Sequence, residues 1–225
     1  MLKQIEVYVI NTRMYNFSNY CYLVKDINTG KAIIIDPSWD IRKIENMINK
    51  TSVSLNGILV THSHFDHVNL INKINNKYDV PVYIGKKEAK FYNVQYKNLQ
   101  LIEHRDVIMV GNIKIQCLVT PGHTAGSVCY IIDNNVFTGD TVFIEGCGIC
   151  DTHGGSAEAM FNSIQFLKNS IPITSRIYPG HCYGKETGQL FSKVLKNNIY
   201  FNINNQKQFV DFRLRKNQKN LFSFK

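Results

Sequence analysis

From Thr61 to His67 the chain reads Thr61-His62-Ser63-His64-Phe65-Asp66-His67, and no other stretch restricts its folding as tightly. Three imidazoles and a carboxylate crowd into this segment. If buried, each polar nitrogen needs a partner, and an exposed loop gains nothing from three histidines. Two more histidines follow Pro-Gly turns: His123 in Thr120-Pro121-Gly122-His123 and His181 in Tyr178-Pro179-Gly180-His181. Between them stands Thr138-Gly139-Asp140. A single histidine after such a turn is an ordinary structural residue. Together, five of the seven histidines in three short motifs point to an ion-binding centre.

The spacing has a physical reading. Alternate side chains of an extended segment point the same way, so His62 and His64 can grip one ion. Asp66 and His67 then turn toward a second position. Imidazole suits zinc, iron and similar ions, and a carboxylate can bridge two of them. Asp140 is the natural bridge, because it arrives from another loop behind Gly139, where the backbone can come close.

The rest of the chain supplies a scaffold. Short strands are expected at residues 6–10, 19–24, 31–36, 57–60, 80–84, 113–119, 127–132, 135–138 and 176–178. Asn28-Thr29-Gly30 reads as a hairpin turn. Helical spacing runs from Asp40, a capping residue, to Ile48. It recurs over 68–74, from Ser156 to about Asn169, and from Glu186 to about Tyr200. The expectation is an α/β sandwich carrying its ligands on loops at strand ends. With 225 residues, the chain fits one domain over 1–225, with the sandwich in 1–184 and a C-terminal helix and tail in 185–225.

Composition narrows the setting. No apolar run approaches the roughly 20 residues of a membrane helix, and residues 1–7 resemble no secretory signal. A cytoplasmic location with six free cysteines is expected. The net charge of +9 would suit an acidic partner, although a solvated lysine-rich surface accounts for it as well.

The order His62-x-His64-x-Asp66-His67, His123, Asp140, His181 resembles the metallo-β-lactamase superfamily over nearly the whole chain. That resemblance implies an αββα sandwich and two divalent metal ions, with zinc expected and iron or manganese as alternatives. It assigns His62, His64 and His123 to one ion and Asp66, His67 and His181 to the other. Asp140 would bridge them, and Asp66 would also orient a metal-activated hydroxide for attack on an acyl carbon.

The segment from Gly139 to Gly148, with Gly154-Gly155-Ser156-Ala157-Glu158, is similar to glyoxalase II-type thioesterases. So is His181-Cys182-Tyr183-Gly184-Lys185-Glu186-Thr187. Two features depart from that group: Ile149 stands where it carries a basic residue, and little more than one helix is expected after His181. Asp140 to Cys150 also resembles the zinc-dependent hydrolases of bacterial polyketide biosynthesis. This implies thioester hydrolysis on an acyl carrier protein or a small acyl thioester, with Tyr183, Lys185 and Cys147 as candidate substrate contacts. The competing readings are a hydroxyacylglutathione hydrolase and a mononuclear iron persulfide dioxygenase. A nucleic-acid phosphodiesterase ranks lower, since no extra arm for gripping RNA is evident. Asp36, at the end of a strand, is expected to orient a ligand or form a turn.

Overall fold

In the computed structural model, which describes residues 4–15 and 17–216, the run Ala32-Ile33-Ile34-Ile35 is buried on both sides. Ile33 and Ile35 face a second sheet, whereas Ala32 and Ile34 face helices. A strand covered on both faces reads as a continuous apolar run, as expected here.

The first sheet has the order β1 (Ile5–Met14), β2 (Phe17–Asp26), β3 (Lys31–Ile35), β4 (Ser54–Leu59), β5 (Val82–Gly85) and β6 (Leu99–Ile102). Its first three strands are antiparallel, and β3 to β6 are parallel. The second sheet holds β7 (Val107–Val110), β8 (Ile113–Val119), β9 (Val128–Ile132), β10 (Asn135–Gly139), β11 (Arg176–Pro179) and β12 (Gln189–Leu190), also in sequence order. Tyr22, Val24, Ile33, Ile115, Tyr130 and Phe137 interleave between the sheets.

On the outer face of the first sheet, α1 (Ile41–Thr51) and α3 (Ile71–Tyr78) bury Ile44, Ile48, Ile71 and Ile74. On the outer face of the second, α5 (Ala157–Ser170), α6 (Phe191–Asn197) and α7 (Gln206–Arg213) bury Met160, Leu167, Phe191 and Phe209. The architecture is the expected αββα sandwich. Asp40 and Ser156 cap α1 and α5, accepting from the Lys43 and Ala159 amides. Among the described residues, no helix is long and apolar enough to cross a membrane.

Two helical expectations are corrected. Residues 68–74 are not one helix: α2 (Phe65–Val68) starts inside the histidine segment, and α3 follows after a break. Nor does one helix run from Glu186 to Tyr200. Gly188, at φ +80°, donates its amide to Ile177 O, and this seats β12 on the edge of β11. Helix α6 starts only at Phe191, and a 3-10 turn (Ile199–Phe201) follows. Over residues 185–216 the C-terminal region also holds more than one helix, because α7 packs back against α5, while residues 217–225 of the expected tail lie outside the described residues.

Asp26 ties the two sheets together. Its carboxylate accepts from the Asn28 and Thr29 amides and the Thr29 hydroxyl in the β2–β3 turn. It also accepts from the Asn112 amide in the β7–β8 turn at 2.8 Å. Burial opposes ionisation, but these donors, led by Asn112, outweigh it and hold the pKa below its ordinary value. A depressed folded pKa contributes stability above the unfolded value, about 3.9, which is lost as pH falls through the folded value. Asp26→Asn should therefore cost about 1–3 kcal/mol at pH 7. Denaturant titrations of both proteins should show that gap narrowing below roughly pH 4.

Candidate metal centre

Every expected ligand segment follows the C-terminal end of a strand. Residues 62–67 follow β4, His123 follows β8, Asp140 follows β10 and His181 follows β11. Strands β8, β10 and β11 run in one direction, so their ends meet at one edge of the sandwich. The close approach depends on glycine. Gly139 has φ +49°, and a Cβ there would lie 2.4 Å from Thr61 Oγ1. A hydrogen bond from the Tyr20 amide to Gly180 O crosses between the sheets beside the site.

The structure brings all seven expected residues together. One donor atom from each of His62, His64 and His123 lies within 4.8 Å of the other two. The same holds for Asp66, His67 and His181. Asp140 stands between these triads, with Oδ1 3.5 Å from His67 Nε2 and Oδ2 3.6 Å from His123 Nε2 and 3.3 Å from His181 Nε2.

For His62, His67, His123 and His181, outer partners fix which ring nitrogen faces inward. Asp36 accepts from the Thr61 amide, from Thr61 Oγ1 at 2.6 Å and from His67 Nδ1–H at 3.0 Å. Thr61 Oγ1, committed as a donor to Asp36, accepts from His62 Nδ1–H. His123 Nδ1–H donates to Ile149 O at 2.7 Å, and His181 Nδ1–H donates to Ser18 O at 2.8 Å. Four Nε2 atoms therefore converge on the site. His67 and His181 bring theirs to 3.3 Å, and among the described residues His62 Nε2 and Asp140 Oδ1 are buried without a hydrogen-bond partner. Crowded ring nitrogens and orphaned acceptors call for a cation at their centre, and imidazole with carboxylate is a donor set suited to zinc or iron.

Electrostatics divide the site. Burial, then neighbouring imidazoles, holds His62 well below its ordinary pKa. Burial likewise brings His123 down to about 4 and lowers His64, so this triad presents neutral rings. In the other triad burial also opposes charge on His181, but Asp140 and Asp66 outweigh it and raise the pKa to about 10. Burial opposes ionisation of Asp66 and Asp140 too, yet the facing histidines keep both carboxyls well below the usual range. The carboxylate half strongly favours positive charge.

A cavity of about 300 Å³ opens over the centre. His64, Asp66 and Asp140 form part of its floor, and Phe143, Ile149 and Tyr183 form part of its wall. Tyr200, Phe212 and Arg213 from the C-terminal region close one side. Of the expected substrate contacts, Tyr183 and Cys147 line this cavity. Lys185 does not line it: its ammonium pairs with Glu145 at 3.5 Å, on an exposed side chain turned to a separate cleft. His153 also stays outside, packed against Phe91 with ring centroids 4.9 Å apart.

A family model described as the metallo-beta-lactamase superfamily matches residues 14–181. The chain belongs to the metallo-beta-lactamase superfamily. Two relatives are similar over 98% of their length. The chain is 45% identical over 220 residues to the "Probable polyketide biosynthesis zinc-dependent hydrolase PksB" of Bacillus subtilis (strain 168). It is 48% identical over 220 residues to the "Probable polyketide biosynthesis zinc-dependent hydrolase BaeB" of Bacillus velezensis. Each alignment covers 98% of this chain and 98% of the relative. A crystal structure of a metallo-beta-lactamase from Staphylococcus aureus superposes with a TM-score of 0.83 at 26% identity, covering 96% of this chain and 69% of that one.

Within this superfamily scaffold, several supporting residues escape sequence reasoning. Asn19 Nδ2 donates to Asp66 O and Oδ2, both at 3.0 Å, while its Oδ1 accepts from Trp39 Nε1. The one available signal was an asparagine opening an otherwise apolar strand. The Ile149 and Ser18 carbonyls carry no side-chain signal at all. Asp36 combines both of its expected roles: it orients His67 and turns the backbone at φ +49°.

Proposed function

We propose that the protein is a zinc-dependent hydrolase of polyketide biosynthesis that cleaves acyl thioesters on acyl carrier proteins. The observation that carries this reading is a convergent donor set, His62, His64, Asp66, His67, His123, Asp140 and His181, in a chain whose full-length relatives are named zinc-dependent hydrolases.

His62, His64 and His123 would hold one ion, and Asp66, His67 and His181 a second, with Asp140 between them. Bound zinc would supply Lewis acidity and lower the pKa of water toward neutrality. Asp66, with its side chain 20% exposed, is the most open carboxylate of the cluster and faces the cavity. It is placed to orient the attacking water, while Asn19 keeps the carboxylate aimed. Cys147 is the thiol in the cavity wall, but burial, then Cys150, raises its pKa well above the ordinary value. A protonated thiol is a poor nucleophile, which favours direct attack by water over an acyl-cysteine route.

The cavity sits at the small end of ligand pockets, so it suits an acyl group and its thioester while a carrier stays outside. Carrier proteins are acidic, and the net charge of +9 would speed their encounter with this surface. The same reading places the protein in the cytoplasm.

Acyl release followed by mass spectrometry tests the substrate. Acyl carrier protein, N-acetylcysteamine and glutathione thioesters should be compared, and the carrier ester should turn over fastest. Asp66→Ala should reduce that turnover by about 100-fold or more. Preferred cleavage of the glutathione ester would defeat the carrier assignment, and a single iron with oxygen consumption would defeat hydrolysis.

A further inference from the structure

Glu88 lies in the first turn of α4 (Lys86–Phe91), directly after β5, and is fully buried. Its Oε1 accepts from the Ser63 amide at 2.8 Å and from Ser63 Oγ at 2.7 Å. Its Oε2 accepts from the Gly126 amide at 2.8 Å. Ser63 stands between His62 and His64, and Gly126 lies just beyond His123. One carboxylate therefore holds both segments that carry the three-histidine triad.

The backbone is built for this contact. A Cβ on Gly126 would lie 2.2 Å from Glu88 N, and one on Gly85 would lie 2.6 Å from Gly126 O. Only glycine at both positions lets the His123 loop settle onto the start of α4. Burying a carboxylate is costly unless its oxygens are fully used. Here both oxygens serve two loops that must keep a fixed separation. Charge-assisted bonds to backbone amides are roughly twice as strong as neutral ones and give a stiffer link. Asp36 does the corresponding work at His67 and, through Thr61, at His62.

We propose that Glu88 is a positioning residue that sets the separation of the His62–His64 segment from His123, and with it the zinc affinity of the three-histidine triad. This inference rests on the metal-binding part of the proposed function and not on the substrate. Glu88→Gln keeps the shape but turns one acceptor into a donor, so either Ser63 or Gly126 loses its partner. Ser63→Ala removes only the hydroxyl contact.

The test is zinc titration of the full chain against a chromophoric chelator, joined by the absorption spectrum of the cobalt-substituted protein. Glu88→Gln should weaken zinc binding by about 10–100-fold and shift the cobalt bands. Ser63→Ala should weaken it by about fivefold. A purely structural Glu88 would lower the melting temperature of the metal-free protein and leave affinity and spectrum unchanged, which would overturn the proposal. If Glu88→Gln does not fold, unchanged affinity in Ser63→Ala overturns it. A wild-type chain that binds no zinc removes the metal reading and this inference together, whereas wild-type binding with an unaltered Glu88→Gln removes the inference alone.

Discussion

Asp140→Ala should give a folded protein that binds metal weakly and loses thioester hydrolysis by more than about 100-fold in kcat/KM. Asp140 contacts both triads, through His67 and His181 on one side and His123 on the other. Among the described residues its Oδ1 has no hydrogen-bond partner. Removing an outer partner of a metal ligand already costs 10–100-fold in affinity or activity, so loss of the bridge proposed for Asp140 should exceed that range. Asp140→Asn separates charge from shape: it keeps the volume, removes the negative charge and should remain severely impaired. Metal content by elemental analysis and kcat/KM on an acyl carrier thioester provide the readings. Near-normal activity with full metal content in either variant would exclude the bridging role.

Gly180→Ala should abolish most activity with the addition of one methyl group. A Cβ at this position would sit 2.4 Å from Asp140 Oδ1 and 2.5 Å from His67 Cε1. The backbone cannot turn the methyl aside, because the Gly180 amide donates to Gly139 O and its carbonyl accepts from the Tyr20 amide. The clash therefore falls on two members of the metal centre. Overpacking of this kind costs about 1–3 kcal/mol of stability. A displacement near 1 Å in the catalytic groups can cost about 100-fold in rate. Gly30→Ala is a useful contrast. Gly30 has φ +70° and open space around its Cβ position, so it should lose about 1 kcal/mol of stability through backbone strain and keep full activity. Melting temperatures and kcat/KM for both variants check the pair. Equal activity in both would show that Gly180 is only a turn residue.

The expected α/β sandwich was legible because Ile33, Ile34 and Ile35 are buried on two faces, while α1 is buried on one and shows helical spacing. The edges were not. Strand β6 is short and does not alternate, and β7 alternates in burial but has apolar Val107 and Met109 at its exposed positions, so no polar–apolar pattern marks either. In α7 polar residues surround Phe209 and Phe212, and its burial depends on α5 and Tyr200. Ile149 is instructive. Its side chain departs from the basic residue of glyoxalase II-type enzymes, yet its carbonyl takes the His123 Nδ1–H hydrogen bond, which any residue there could accept.

The sequence by itself determined the donor set and so the class of chemistry. Ligand spacing within residues 62–67 is set by a few backbone angles, and the Pro-Gly-His turns are local as well. Only the tertiary structure decided which nitrogen each histidine turns inward, how Asp140 stands between the triads, and that the C-terminal region closes the cavity. The ring orientations and the spacing of the histidine segments depend on Asp36, Glu88, Ser18 and Ile149, partners 25 to 163 residues away in the chain. Contacts over such separations leave no periodic or compositional trace and exist only once the two sheets have packed.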